Sequence, residues 1–334
     1  MIKRLARLLG RAPGPTASTS TLPRVAVDMH WHTGTQLPIP DWQRIGEAEP
    51  ENPGDGQLDA YWNSAALTWL EACVEQLGEG YRVTESRDFL LMSTLEDRPA
   101  RVFLNTCQRM LARITRSLGD LADAGGSGKH VVMVYEHPDD YYAYISHYYP
   151  EDGEYAMSSG MFIQAGYGHF VMPLENIDNM EPVIAHELTH CLLTHLPIPA
   201  WLNEGLAVNT EHTLFPQLAA PHAQLYFPHE IAAQHADYWN EESIQTFWSG
   251  KSFLSAEEGN RLSYDLAKKI TALAARDEPA FRAFVAHAHM RNGGLEAEHH
   301  LGYPLVNLVG AVLGEGDWQP RPQSWSDGVE RGQF

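Results

Sequence analysis

The sequence is short of cysteine, of basic charge and of long apolar runs, and each shortage excludes something. Its three cysteines, Cys73, Cys107 and Cys191, stand far apart and show no C-x-x-C spacing. That excludes a disulfide-built scaffold and points to a reducing, cytoplasmic setting with three small buried thiols. No stretch reaches the roughly 18 uninterrupted apolar residues of a membrane-spanning helix. Lys and Arg number 23 against 43 Asp and Glu, a net charge of −20. A surface this acidic repels phosphate backbones, so no nucleic-acid partner is expected. The few basic residues are unevenly spread. Residues 1–27 hold Lys3, Arg4, Arg7, Arg11 and Arg24 and no acid. No apolar secretory core accompanies them, and they read as a flexible basic tail, with organelle targeting or weak membrane contact left open by the same composition.

What is present is ordinary for a globular chain: 334 residues, 44% hydrophobic and 20% charged, enough to bury a sizeable core. Residues 28–313 read as one domain of three parts. These are an N-terminal wrap and helix (28–80), a sheet with two helices bearing the candidate site (81–212), and a helical part (213–313). Residues 314–334, with Gly, Pro and two Trp, read as an extended tail. Apolar positions at three- and four-residue steps predict helices from a cap at Asp59 to Leu77, over about 99–121, and over 261–275 and 279–289. Short apolar runs predict strands at 89–94 and 130–136, then two more at 159–165 and 169–175 joined by a turn at Gly166-Tyr167-Gly168. The tyrosine-rich stretch 139–149 reads as a helix packed through its rings. Residues 213–258 give no decisive pattern.

The chemistry concentrates at His186-Glu187-Leu188-Thr189-His190. On a helix, positions four apart differ by about 40° and one turn of rise, so both imidazoles point the same way and can share one metal ion. Asp178 or Asn179 can cap that helix, with Pro182 in its first turn. Glu187 lies about 100° round, beside the metal rather than on it, where a carboxylate can take a proton from water and pass it on. A catalytic zinc site needs a third protein ligand and an open position. After the turn Pro197–Pro199 a second helix offers Glu204, within Trp201-Leu202-Asn203-Glu204-Gly205-Leu206-Ala207. His195 is about 180° from His186 and faces away, Cys191 is about 100° from His190, and Glu211 and His212 lie about two turns beyond Glu204. Among 17 histidines the other groupings, His30/His32, His287/His289 and His299/His300, read as surface or core residues.

The run 159–207, with HELTH and then PAWLNEGLA, resembles the gluzincin group of zinc metallopeptidases, in particular the peptidase-MA-like proteins. A looser pattern covers about 81–290. The resemblance implies a zincin-like α+β fold, with a small mixed sheet packed on the HExxH helix and a mainly helical half after it. It implies Zn²⁺ held by His186, His190 and Glu204, with Glu187 as general base. It further implies a strand edge that pairs with an extended peptide, for which Gly160, Met161 and Phe162 are the candidates, and Tyr264 as a donor to the oxyanion. Asn203 stands where it could orient a histidine from behind. The function expected is hydrolysis of amide bonds in a peptide or protein substrate. A zinc-stabilised binding domain without turnover, and a hydrolase of non-peptide amides or esters, remain as alternatives.

Overall fold

A computed structural model describes residues 22–123, 126–148, 159–175, 177–219, 226–255 and 258–325. Residues 1–21 of the expected basic tail, Tyr149, and residues 326–334 lie outside them. Two helices come first, α1 (Trp42–Glu47) and α2 (Gln57–Leu77). The sheet is built from β1 (Arg82–Glu85), β2 (Phe89–Ser93), β3 (His130–Tyr135), β4 (Met161–Ile163) and β5 (His169–Pro173). Among and after these strands run α3 (Asp97–Leu118), α4 (Pro138–Tyr148) and α5 (Ile177–Leu193). The remainder is helical: α6 (Ala200–Leu214), α7 (Pro228–Tyr238), α8 (Ile244–Trp248), α9 (Glu258–Ala274), α10 (Glu278–His287) and α11 (Leu305–Leu313). The fold is α+β, as expected, with a mixed sheet ahead of a mainly helical half. No helix among the described residues is long and apolar enough to cross a membrane.

The strand order is β1-β2-β3-β5-β4. The central pairs β2/β3 and β3/β5 are parallel, while β1 and β4 are antiparallel edges. Side chains alternate across a strand, and here both faces are covered, so the inner strands are apolar apart from Ser93, His130 and His169 at their ends. Phe89, Leu91, Val132, Val134, Phe170 and Met172 join the core that includes α3 and α5. Leu90, Met92, Val131, Met133, Tyr135 and Val171 join a second core with α1, α2 and α4.

Several expectations shift. The cap of α2 is Gly56, at φ 71°, not Asp59. Asp59 sits in the first turn, and its carboxylate accepts the Gly128 N–H at 2.9 Å, tying α2 to the glycine loop ahead of β3. The α5 helix begins at Ile177, so Asn179 lies inside it and Pro182 falls in its second turn. Strand β1 is RVTE, half-buried at every position, and carries no apolar run to betray it. Residues 314–325 are irregular, but they pack on the helical half rather than trailing from it. Trp318 is buried, and its carbonyl accepts from Trp248 Nε1 at 2.8 Å.

The β5 residue His169 pins α4 to the sheet. Its Nδ1–H donates to the Tyr167 carbonyl at 2.7 Å, which leaves Nε2 to accept from the Tyr144 hydroxyl at 2.8 Å. With its hydrogen used there, Tyr144 accepts from Tyr148 at 3.2 Å. Tyr141 and Tyr144 are buried against the sheet core, in keeping with the packing read from the sequence, and Tyr144 and Tyr148 add the hydrogen bonds. Burial pushes the His169 pKa down to about 4, below the ordinary value of about 6.5. Between those values the unfolded chain binds more protons than the folded one, so stability falls as pH falls. The contribution is complete above about 6.5 and disappears through the window down to about 4. Urea unfolding at pH 7.5 and pH 5 should show the wild type losing about 2 kcal/mol more across that interval than His169→Gln does.

Candidate metal centre

The position of α5 follows from its apolar stripe. Ile184, Ala185, Leu188 and Leu192 are buried in the core that also includes the sheet and α3, which leaves His186 and His190 on the flank turned toward α6. The turn after α5 closes with Leu196 N–H donating to the Leu193 carbonyl at 2.9 Å. Pro199, extended at φ −67° and ψ 150°, then starts α6. Proline supplies that angle without cost, and its missing N–H is one a helix start leaves unpaired anyway. The chain doubles back, and α6 packs on α5 and α9.

This return brings Glu204 over the histidine pair. Glu204 Oε2 lies 3.2 Å from His186 Nε2 and 3.5 Å from His190 Nε2. The three candidate ligand atoms all fall within 4.8 Å of one another, and among the described residues no other His, Cys, Asp or Glu group gathers in this way. Glu204 and His190 are buried and His186 nearly so. His195 is exposed, beyond the end of α5.

Glu187 is also buried, and its Oε2 accepts the backbone N–H of Phe162 on β4 at 2.8 Å. Gly160, Met161 and Phe162 therefore stand at the sheet edge beside the histidine helix, with β5 as the one strand neighbour of β4 among the described residues. Gly160 has no room for a side chain, since a β-carbon there would lie 2.8 Å from Val183 Cγ1 and 3.2 Å from the Val171 carbonyl oxygen. Tyr264 reaches the centre from α9. Its ring is 6.5 Å from the His186 ring, and its hydroxyl feels the Glu204 and Glu187 carboxylates.

One expectation fails. Asn203 does not orient a histidine: its Oδ1 and the His190 Nδ1 are each buried without a hydrogen-bond partner. The ring held from behind is His186, whose Nδ1 donates to Glu211 Oε2 at 3.2 Å. Glu211 follows Glu204 by seven residues, close to two full helical turns, so both carboxylates lie on one face of α6. The sequence reading weighed Glu211 only as a direct ligand. The seven-residue spacing could have revealed its actual place, on the far nitrogen of the same imidazole.

The charges at the centre meet in pairs, Glu204 facing both rings and Glu211 facing His186. Three carboxylates (Glu187, Glu204, Glu211) surround two imidazoles in a largely dry space, and unpaired buried charge is costly. Burial raises the Glu187 pKa above the usual carboxylate range. Burial works the same way on Glu204, but the facing His190 and His186 rings overcome it and hold that carboxyl far below the range. Burial opposes the charged form of His186, yet Glu204 and Glu211 outweigh it and push its pKa well above the ordinary value. Burial raises the Tyr264 pKa strongly, and the neighbouring carboxylates add to this, so its O–H stays a donor. Once the rings give up their protons, two imidazole nitrogens and one carboxylate oxygen at these distances could hold a metal ion.

The packing of α6 on α9 sets the reach of both helices. Gly205, next to Glu204, faces Thr271 and lies so near α9 that a β-carbon would come within 2.7 Å of the Ala267 carbonyl oxygen. No larger residue allows that approach. Comparison with known proteins finds no family model and no curated protein that matches this chain.

Proposed function

We propose that the chain is a zinc-dependent hydrolase of peptide bonds, with a zincin-like fold of the gluzincin type. The observation that carries the reading is the convergence of Glu204 Oε2 on both histidine Nε2 atoms, with an ionisable, buried Glu187 alongside. His186, His190 and Glu204 would hold the ion. Zinc, when bound, supplies a Lewis acid that makes water more acidic and polarises a carbonyl. Glu187 accepts the proton of the attacking water and returns it to the leaving amine. A carboxylate whose pKa burial has raised holds a proton long enough to do both. The Phe162 N–H fixes the direction in which Glu187 Oε2 points. The Tyr264 O–H stands ready to donate to the oxygen that gains charge as the carbonyl is attacked. The side of β4 away from β5, where no second strand lies among the described residues, could take an extended chain by strand addition, which favours a peptide over a compact amide or ester. Glu187 itself argues against a purely structural site, which has no use for that carboxylate.

Elemental analysis and a broad peptide-library digest test this directly. The protein should carry one zinc per chain and lose cleavage on chelation. A clean protein that takes up no zinc when supplied with it would end the proposal. Glu211 gives a second check. Glu211→Ala should weaken zinc binding by about 10–100-fold, measured by competition with a chromophoric chelator. Unchanged affinity would reduce Glu211 to a packing residue.

A further inference from the structure

Beside the centre, toward the C-terminal end of α5, the structure holds a cavity of about 450 Å³. Its walls include Leu58 and Trp62 from α2, Phe162 from β4, Tyr167 from the turn after it, and Cys191 and Thr194 of the α5 end. The volume lies within the range of ligand pockets, about 300–1,000 Å³.

Three observations connect this space to the reactive carboxylate. First, Glu187, Cys191 and Thr194 are spaced i, i+4 and i+7, so the face of α5 that bears Glu187 runs on into the cavity wall. Second, Phe162 both lines the cavity and donates its N–H to Glu187 at 2.8 Å. Third, Cys191 lies one helical turn beyond Glu187, about 6 Å along the axis, which an extended chain covers in about two residues at about 3.3 Å each.

The lining is also nearly free of charge. The Lys129 ammonium turns to Glu85 and to the Ser86 carbonyl, both at 2.6 Å. His130 is buried with its pKa lowered by desolvation, and Cys191 is a thiol whose pKa burial pushes up to about 12. Glu49 already accepts from Trp62 Nε1 at 3.2 Å. What remains is ring faces, Leu58, a thiol, the neutral Ser127, Thr194 and Gln164 side chains and glycine backbone, which suits an apolar ring and penalises a charged group.

We propose that this cavity receives an apolar, preferentially aromatic, side chain of an extended peptide laid along β4, one or two residues from the bond presented to Glu187. The inference rests on the hydrolase reading for its geometry and extends it to a substrate class: peptides with a large apolar residue at one fixed distance from the cut.

Calorimetric titration of end-capped hexapeptides, with a single Phe moved through an alanine background, tests the cavity by binding alone. The zinc-supplied Glu187→Gln protein serves as receptor. One Phe position should bind about tenfold or more tighter than the all-alanine peptide, as expected for burying one aromatic side chain. Thr194→Trp, which fills the cavity, and Leu58→Asp, which charges its rim, should each bring that ratio near one. Melting curves identify which variants remain folded. No preferred position, or a preference that a folded variant of either kind retains, overturns the proposal. Wild-type digestion of the same peptides separates the two readings. Cleavage without any Phe preference leaves the hydrolase standing and removes the cavity's role. A Phe preference that the variants abolish, in a protein that cleaves nothing, leaves the cavity standing and removes the hydrolase.

Discussion

Glu187→Gln should slow peptide hydrolysis by about 10²–10⁴-fold, the usual contribution of a positioned acid–base group, while zinc content stays at the wild-type level. The carboxamide has the same shape, and its oxygen can still accept the Phe162 N–H that Glu187 accepts now at 2.8 Å. It cannot take a proton from water at neutral pH. Stability should not suffer, because the wild-type side chain is a buried acid whose ionised form burial disfavours. Steady-state rates on one good library substrate, with elemental analysis of the same preparation, make the measurement. Full activity in the variant would remove Glu187 from the chemistry. Loss of zinc along with activity would make it a structural residue instead.

Glu204→Ala should have the larger effect on the metal. It removes one of three converging ligand atoms and leaves two imidazoles facing a void, so zinc affinity should fall by more than the roughly 10–100-fold expected for an outer partner such as Glu211. Activity should fall with zinc occupancy. A second readout needs no substrate. Zinc at about 100 times its dissociation constant stabilises the fold that binds it by about 2.7 kcal/mol, so the wild type should melt higher with zinc than without. Glu204→Ala should show little of that rise. A variant that binds zinc as the wild type does would exclude Glu204 as a ligand.

The centre was legible to the extent that helical spacing governs it. His186 and His190 share a flank because four residues make one turn, and Glu204 was reachable because two prolines bound a short reversal between helices. Glu211 was passed over because the sequence reading asked only which residues touch the metal. Its bond goes to Nδ1, the nitrogen facing away from Glu204, and depends on the rotation of α6 about its own axis. Asn203 was proposed for that supporting role from its adjacency to Glu204, but the next residue on a helix points about 100° away. In the sheet, β2, β3 and β5 announced themselves as apolar runs because both their faces are buried. β1 did not, since an edge strand with half-exposed Arg82, Thr84 and Glu85 carries no such signal. The glycines in the turn before β5 were visible as turn residues. What they pack against was not: Gly166, at φ 65°, lies against Trp42, and only the folded chain shows that a β-carbon there would collide with the indole.

The contact at Gly205 has a mechanical consequence. Where α6 meets α9 the bare Cα of Gly205 sits against the Thr271 side chain and the Ala267 carbonyl oxygen, with no room for a side chain of its own. A densely packed contact of this kind transmits displacement instead of absorbing it. Glu204 adjoins Gly205 on one helix and Tyr264 precedes Ala267 by three residues on the other, so both side chains are placed by this one contact.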